Sequence, residues 1–247
     1  MTLSKNRLKE LAAYRMQKRC DDEAVFVVEG PKIAGELLGS GFAVRTVCAT
    51  ADWLQREGAA AEAAGAECYE VSESELERLS GMKQPNQVWM LAMRQAVDCL
   101  EGPTLALDRI QDPGNMGTML RTADWFGVRH VVCSVDTVSC YNPKVVQASM
   151  GAIFRTRVDY VDLSQWLGQC GRIIYGASLQ GDPIDTVLRK ADCGASVLVI
   201  GNESKGISYE VMRSVTHPVF IPNRGGTAES LNAAVAAGIL MERLWNN

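Results

Sequence analysis

The sequence predicts an α/β protein: an open, mostly parallel sheet covered by helices, preceded by a smaller α/β domain. Three observations carry that reading. From residue 104 onward, strand-like apolar runs alternate with helical patterns through short connections and without internal repeats, the order produced by parallel strands joined through crossover helices. Runs such as LALD (105–108) and SVLVI (196–200) have no alternating polar face, as strands buried on both sides require. With 247 residues, 47% hydrophobic and 22% charged, the chain has an ordinary globular composition and enough length for one large domain or two smaller ones.

The elements follow in order. Residues 1–19 hold six basic groups against one acid, a local net of +5 in a chain of net −4, and Leu3, Leu8, Leu11 and Ala12 recur at helical spacing. This pattern predicts one amphipathic helix whose basic face is either merely solvated or in contact with phosphate. Strands are expected at 24–28, Val44–Ala49 and Val88–Met93, with a helix at Pro31–Leu38 opened by its proline and a polar, helix-rich stretch over 72–87. The break Glu101-Gly102-Pro103 separates a first domain, 1–97, from a second, 103–247. In the second, strands are expected at 104–110, 130–135, 172–178, 196–201 and 218–222. A helix at 118–126 is closed by Gly127, and another at 143–150 is capped by Asn142 with Pro143 in its first turn.

Composition also excludes. No window approaches the ~20 apolar residues of a membrane span, and the first nineteen residues are charged where a secretory signal is apolar, so a cytoplasmic location is expected. Eight scattered cysteines form no C-x-x-C pair and only two histidines accompany them, so neither zinc nor a disulfide framework is expected. The cysteines read as small buried hydrophobes.

Three strand ends are rich in glycine and small polar residues. The first, DRIQDPGNMGTMLRTADWFGV (108–128), runs through a Pro-Gly-Asn turn into a helix carrying Arg121, so that Asn115 and Arg121 can face one crevice. The bland alternative makes Asn115 a turn residue and Arg121 a surface residue. The second, SVLVIGNESKGIS (196–208), is spaced like a phosphate loop, but Ile207 stands where G-x-x-x-x-G-K-S/T requires lysine, which argues against nucleoside-triphosphate hydrolysis. Its glycines allow close backbone approach to a ligand, and Glu203 is either a helix-start residue or a polar contact. The third, PVFIPNRGGTAESLNAAVAAGILMERL (218–244), ends a strand at Pro222, continues through Gly225-Gly226, and opens a long helix near Ser230 and Asn232. Locally, Ser230 reads as the cap of that helix.

Taken together, D-P-x-N-x-G…R-T-A, G-N-E…G-I-S and I-P…E-S-L-N-A resemble the three signature motifs of the SpoU (TrmH-type) branch of the SPOUT RNA methyltransferases. The stretch L-K-E-L…V-F-V-V-E-G-P-K is similar to the substrate-binding domain that accompanies many of them, so the resemblance covers almost the whole chain. It implies methyl transfer from S-adenosylmethionine (AdoMet) to a ribose 2′-hydroxyl of RNA, ribosomal ahead of transfer RNA. It also implies a carboxyl-terminal segment threaded as a trefoil knot around the cofactor and a homodimer, with no metal, DNA or membrane. Matched motif by motif, the catalytic positions fall on Asn115, Arg121, Glu203, Ser230 and Asn232. The cofactor positions fall on Ser178, Gly201, Asn202, Gly206, Ile221 and Leu231. Asn223 departs from the family, which commonly has methionine after Ile-Pro.

A chain of net −4 cannot attract RNA through its overall charge, so recognition is expected from local basic groups: Lys5, Arg7, Lys18, Arg109, Arg121 and Arg224. Two rivals remain. A binding module that has lost catalysis is disfavoured by the intact polar set, and a nucleotide-dependent small-molecule enzyme by the missing lysine and the absence of G-x-G-x-x-G.

Overall fold

The computed structural model describes residues 1–82, 84–98, 101–187 and 195–245. In chain order the first elements are α1 (Lys5–Ala12), α2 (Gln17–Asp22), β1 (Val25–Glu29), α3 (Pro31–Leu38), β2 (Val44–Ala49), α4 (Ala51–Ala63), β3 (Glu67–Glu70), α5 (Glu73–Leu79) and β4 (Val88–Met93). Then come β5 (Thr104–Asp108), α6 (Pro113–Trp125), β6 (His130–Ser134), α7 (Pro143–Ser149), β7 (Arg157–Val161), α8 (Leu163–Gln169), β8 (Ile174–Pro183), α9 (Ile184–Val187), β9 (Val197–Gly201), α10 (Tyr209–Met212), β10 (His217–Phe220) and α11 (Ala233–Trp245). They divide into two compact units, Met1–Ala96 with Tyr141–Phe154, and Val97–Cys140 with Arg155–Asn247.

The first unit is built on a mixed sheet in the order β1-β4-β2-β3, in which β4 runs antiparallel to both neighbours. The single helix expected over residues 1–19 is two. Ser4 caps α1 by accepting from the Arg7 N–H at 3.2 Å, a 3-10 turn follows at Ala13–Arg15, and Met16 is extended before α2 begins. An unbroken helix would turn Cys20 about 180° away from Leu11. The break lets both enter one core, with Leu3, Leu8 and Tyr14. Helix α4 went unforeseen because ADWLQREGAAAEA buries only Trp53 and Ala61 and so has no apolar stripe.

This unit also takes in residues 141–154, which lie beyond the Glu101–Pro103 break. Asn142 caps α7 as expected, accepting from the Lys144 N–H at 2.9 Å. Around α7, the Tyr141 ring lies 4.9 Å from Phe26 and the Phe154 ring 5.4 Å from Phe42, while Phe26 and Phe42 are 6.1 Å apart edge to face. The Arg94 guanidinium sits 4.8 Å above Tyr141.

The second unit is a six-stranded sheet in the order β10-β8-β9-β5-β6-β7, every neighbouring pair parallel. Strands β5 and β9 are buried throughout, which explains their unbroken apolar runs. The chain steps from β5 outward to β7, then returns to lay β8, β9 and β10 on the other side, so the order reverses between β5 and β9. At such a reversal the loops leaving the strand ends diverge and open a crevice. Opposite that end, the half-buried Arg172 guanidinium ties the Thr104 hydroxyl (2.9 Å) and the Ser196 carbonyl (3.0 Å), and burial lowers its pKa.

Cys20, Cys48, Cys68, Cys133, Cys140 and Cys170 are free thiols; Cys99 and Cys193 lie outside the described residues. Burial pushes the Cys48 thiol up to about 12, which makes it inert. No helix among the described residues is long and apolar enough to cross a membrane.

Replacing Phe154 with alanine should destabilise the protein by about 3–5 kcal/mol in urea denaturation, because the lost ring leaves a cavity against Phe26 and Phe42. A change below about 1 kcal/mol would show that the segment is only loosely packed there.

Candidate active site

Asp108 at the end of β5 pairs with Gly201 at the end of β9, which places the β5/β9 reversal beneath the loops that follow both strands. After β5, Pro-Gly-Asn is the first turn of α6 rather than a turn before it. The Asp112 carboxylate caps that helix, accepting from the Asn115 N–H at 2.7 Å, and Pro113 takes the position where a missing N–H costs nothing.

Asn115 then binds two other segments through its side chain. Its Nδ2 donates to Glu203 Oε1 at 3.0 Å, an oxygen that also accepts from the Asp112 N–H at 3.3 Å. Its Oδ1 accepts from Asn232 Nδ2 at 3.0 Å. Asn232 Oδ1 accepts in turn from the N–H groups of Ala234 (2.9 Å) and Val235 (3.3 Å), so Asn232, not Ser230, caps α11. The bonds run one way, from the start of α11 to a carboxylate, and fix which atom of each amide is oxygen. Each amide keeps one N–H uncommitted among the described residues.

Glu203 does not start a helix. It lies in a turn closed by reciprocal backbone bonds between Asn202 and Gly206, at 3.0 and 2.9 Å. Asn202 ties the turn to the β5 loop, donating to the Arg109 carbonyl at 2.9 Å and accepting from the Ser204 and Lys205 N–H groups, each at 3.1 Å. Gly201 is obligatory, because any Cβ there would overlap the Gly206 and Ile207 backbone. Asp108 accepts from the Ser208 N–H at 2.6 Å and anchors the far side of the loop.

A cavity of 440 Å³ lies next to Asn232, within the range of about 300–1,000 Å³ typical of small-molecule sites. Its construction begins in β8. That strand pairs with β10 up to Gly176–Pro218 and again from Asp182–Val219, so residues 177–181 stand out of the ladder. Ala177, Ser178 and Leu179 form one wall, the loop from Ile221 to Leu231 another, and Ala236 and Leu240 of α11 the floor. Gly181 lies so close to the Pro218 carbonyl that no side chain fits between the two chain segments.

The structure thus gathers Asn115, Glu203 and Asn232 in one cluster and sets Ser178, Ile221, Arg224, Ser230 and Leu231 on the cavity wall. Gly201, Asn202 and Gly206 shape the turn under Glu203 and are not on that wall. Ser230 is exposed and makes no hydrogen bond among the described residues. Arg121 is not brought to its own chain's cluster. Six residues along α6 from Asn115, it points about 120° round the helix and about 9 Å further along it, exposed and without an ion pair among the described residues.

Of the other basic candidates, Lys5 and Lys18 are exposed and without an ion pair among the described residues. Arg7 pairs with Glu10 at 2.8 Å and Glu67 at 3.0 Å, and the Glu10 bond raises its pKa. Arg109 has a left-handed backbone and turns its guanidinium to Asp108, 3.4 Å away. Sequence reasoning missed Asp112 and Asp108 as organisers of the site, and assigned Asn202 to the cofactor where the structure shows it bracing the Glu203 turn; the one available signal for Asp112 was an aspartate directly before a helix-opening proline.

The SpoU rRNA Methylase family model matches residues 102–242, and the MRM3-like substrate binding domain model matches residues 5–90. The 23S rRNA (guanosine(2553)-2′-O)-methyltransferase RlmP of Bacillus subtilis is 31% identical over 185 residues, 73% of either chain. A solved structure of a TrmH-family protein from Porphyromonas gingivalis superposes with a TM-score of 0.86 at 36% identity, covering 100% of this chain and 99% of that one. An AdoMet-bound rRNA methyltransferase from Sinorhizobium meliloti gives a TM-score of 0.86 at 26% identity, over 98% of this chain and 96% of that one. With its motifs in place and its fold shared along the whole length, the chain belongs to the SpoU rRNA methylase family.

Proposed function

We propose that the protein transfers a methyl group from AdoMet to a ribose 2′-hydroxyl of RNA, with ribosomal RNA as the substrate class and the cytoplasm as its place of work. The observation that carries this reading is the pairing of a largely apolar, loop-walled 440 Å³ cavity with a fixed cluster of amide donors and a carboxylate, joined to it where the wall residue Leu231 is followed by Asn232. Apolar walls from Leu179, Ile221 and Leu231 suit an adenine ring and a methylene chain, while the hydroxyls of Ser178 and Ser230 can bind polar ends. The match to a substrate binding domain and the relative's action on 23S rRNA support the RNA assignment.

When bound, AdoMet supplies a methyl group already activated by its sulfonium. The chain's own work is alignment and the management of one proton. Asn115 and Asn232 aim their uncommitted N–H groups at the hydroxyl oxygen and stabilise negative charge as it develops, while Glu203 keeps Asn115 from turning. Arg121 holds the RNA phosphate next to the target in a two-pronged grip. It is not a base, since a guanidinium keeps its proton above pH ~12; phosphate or water accepts the proton.

Arg121 reaches the cluster from a second copy of the chain. In support, α6 and α11 pack together with the Thr122 methyl against Gly238, and this pair exposes Trp125 (84%) one turn beyond Arg121 and Val235 (51%) in the first turn of α11. Such aromatic and aliphatic exposure suits a self-complementary interface. The carboxyl-terminal segment threads the β8 excursion as a trefoil, a reading supported by the register jump on β8 and the bare crossing at Gly181.

S-adenosylhomocysteine at a hundredfold over its Kd should stabilise the protein by about 2.7 kcal/mol in a thermal melt, with ATP and NAD giving no shift. A shift with ATP instead would return the nucleotide-dependent reading. Arg121→Lys and Asn115→Ala homodimers should each lose about 10²–10⁴ in turnover, while co-expressed heterodimers regain activity through one complete site per pair. Heterodimers as inactive as the parents would place Arg121 in its own chain's site. Reversing Lys5 and Lys18 to glutamate should weaken RNA binding and flatten the slope of log K against log salt by about 0.7–0.9 for each phosphate no longer neutralised, measured by filter binding. An unchanged slope would put the RNA elsewhere.

A further inference from the structure

The loop Ile221–Leu231 forms a whole wall of the cavity, yet no backbone-to-backbone hydrogen bond among the described residues closes it on itself. One side chain does that work. Asn223 Oδ1 accepts from the N–H groups of Gly225 (2.9 Å) and Gly226 (2.8 Å), and Asn223 Nδ2 donates to the carbonyls of Gly226 (3.1 Å) and Ala228 (3.4 Å). The carboxamide thus replaces the missing cross-strand ladder, and it chooses which backbone groups of residues 224–228 turn inward to the loop and which stay available to the cavity. Neighbouring residues offer no substitute. Gly225 and Gly226 bring no side chain, and residues 223–232 are all exposed, so neither packing nor burial holds the loop in shape.

Asparagine suits this task because its carboxamide mimics backbone on both its donor and its acceptor side. The exposure of the loop sets the scale. Its bonds compete with water and add little to global stability, but they preorganise a binding wall whose ordering would otherwise be subtracted from ligand affinity.

We propose that Asn223 is a positioning residue for the cofactor: its side chain orders the 223–228 loop before binding and so sets affinity for AdoMet without touching the reacting atoms. This rests on the reading that the cavity binds AdoMet. Because the loop meets the cofactor equally in the ground and transition states, its loss weakens binding uniformly and leaves the chemical step alone.

The test is calorimetric titration with S-adenosylhomocysteine and steady-state kinetics with ribosomal RNA on the parent protein, Asn223→Ala and Asn223→Asp. Asn223→Ala should raise the Kd and the AdoMet KM by about tenfold, with kcat at saturation within about threefold. Asn223→Asp keeps the two acceptor bonds, loses the two donor bonds, and should fall between. The ligand-free melting temperatures should agree within a few degrees, since substitutions in an exposed loop change global stability little. Affinity of Asn223→Ala within about twofold of the parent, or a fall in kcat at unchanged KM, would overturn the proposal. So would a large drop in the ligand-free melting temperature, which would make the bonds part of the fold. If the parent itself fails to bind S-adenosylhomocysteine, it is the AdoMet reading that falls.

Discussion

One carboxamide joins stretches of chain that the sequence keeps far apart: Asn115 bonds Glu203, 88 residues downstream, and Asn232, 117 residues downstream. Each bond is worth about 0.5–1.5 kcal/mol net, so the cluster does little to hold the fold. Its worth is orientational. With the Asn232 oxygen committed to the first turn of α11 and the Asn115 amide to a carboxylate, neither side chain can flip, and the remaining N–H groups have one direction to point. Misplacing such groups by about 1 Å can cost about a hundredfold in rate, far more than the bonds contribute to stability.

The sheet makes that convergence possible. Reversal of strand order between β5 and β9 brings the loops after both strands to one edge, and the excursion of β8 opposite β10 opens space for a ligand beside them. Two glycines mark where the backbone passes too close for a side chain. Gly201 lets the Glu203 turn fold onto its own strand, and Gly181 lets β8 cross Pro218. Chemistry and cavity therefore share supports, and the turn that carries Glu203 is tied through Asn202 to the loop that leads into α6.

The parallel sheet was legible because buried strands are apolar on both faces, and the helix starts at Pro31 and Pro143 because a proline in the first turn, with a capping Asn142 before the second of them, leaves a local signature. The three polar segments were recognisable as motifs. Their mutual orientation was not, since helix α6 begins at Pro113 rather than residue 118, and this puts Asn115 and Arg121 on one rigid cylinder facing different ways. The local reading of Ser230 as the cap of α11 fails because Asn232, two residues on, has the same capping chemistry and sits where the helix begins. Residues 141–154 showed their helix but not the sheet that buries it, because local periodicity says nothing about which distant aromatic rings complete a core. The break at Met16 had no glycine or proline to announce it and follows from the need to bury both Leu11 and Cys20.

Charge in the first unit is largely committed within it. Arg7, Arg19 and Arg45 are held by Glu10, Glu67 and Glu23, and leave a smaller set of cations for an anionic partner than the count suggests. The most direct test of the central claim is nucleoside analysis by mass spectrometry of ribosomal RNA, taken from cells lacking the gene and incubated with the purified protein and isotopically labelled AdoMet. Label in one 2′-O-methylated nucleoside, with S-adenosylhomocysteine formed in equal amount, is the predicted result. Label on a base, or no transfer to any RNA, would contradict it.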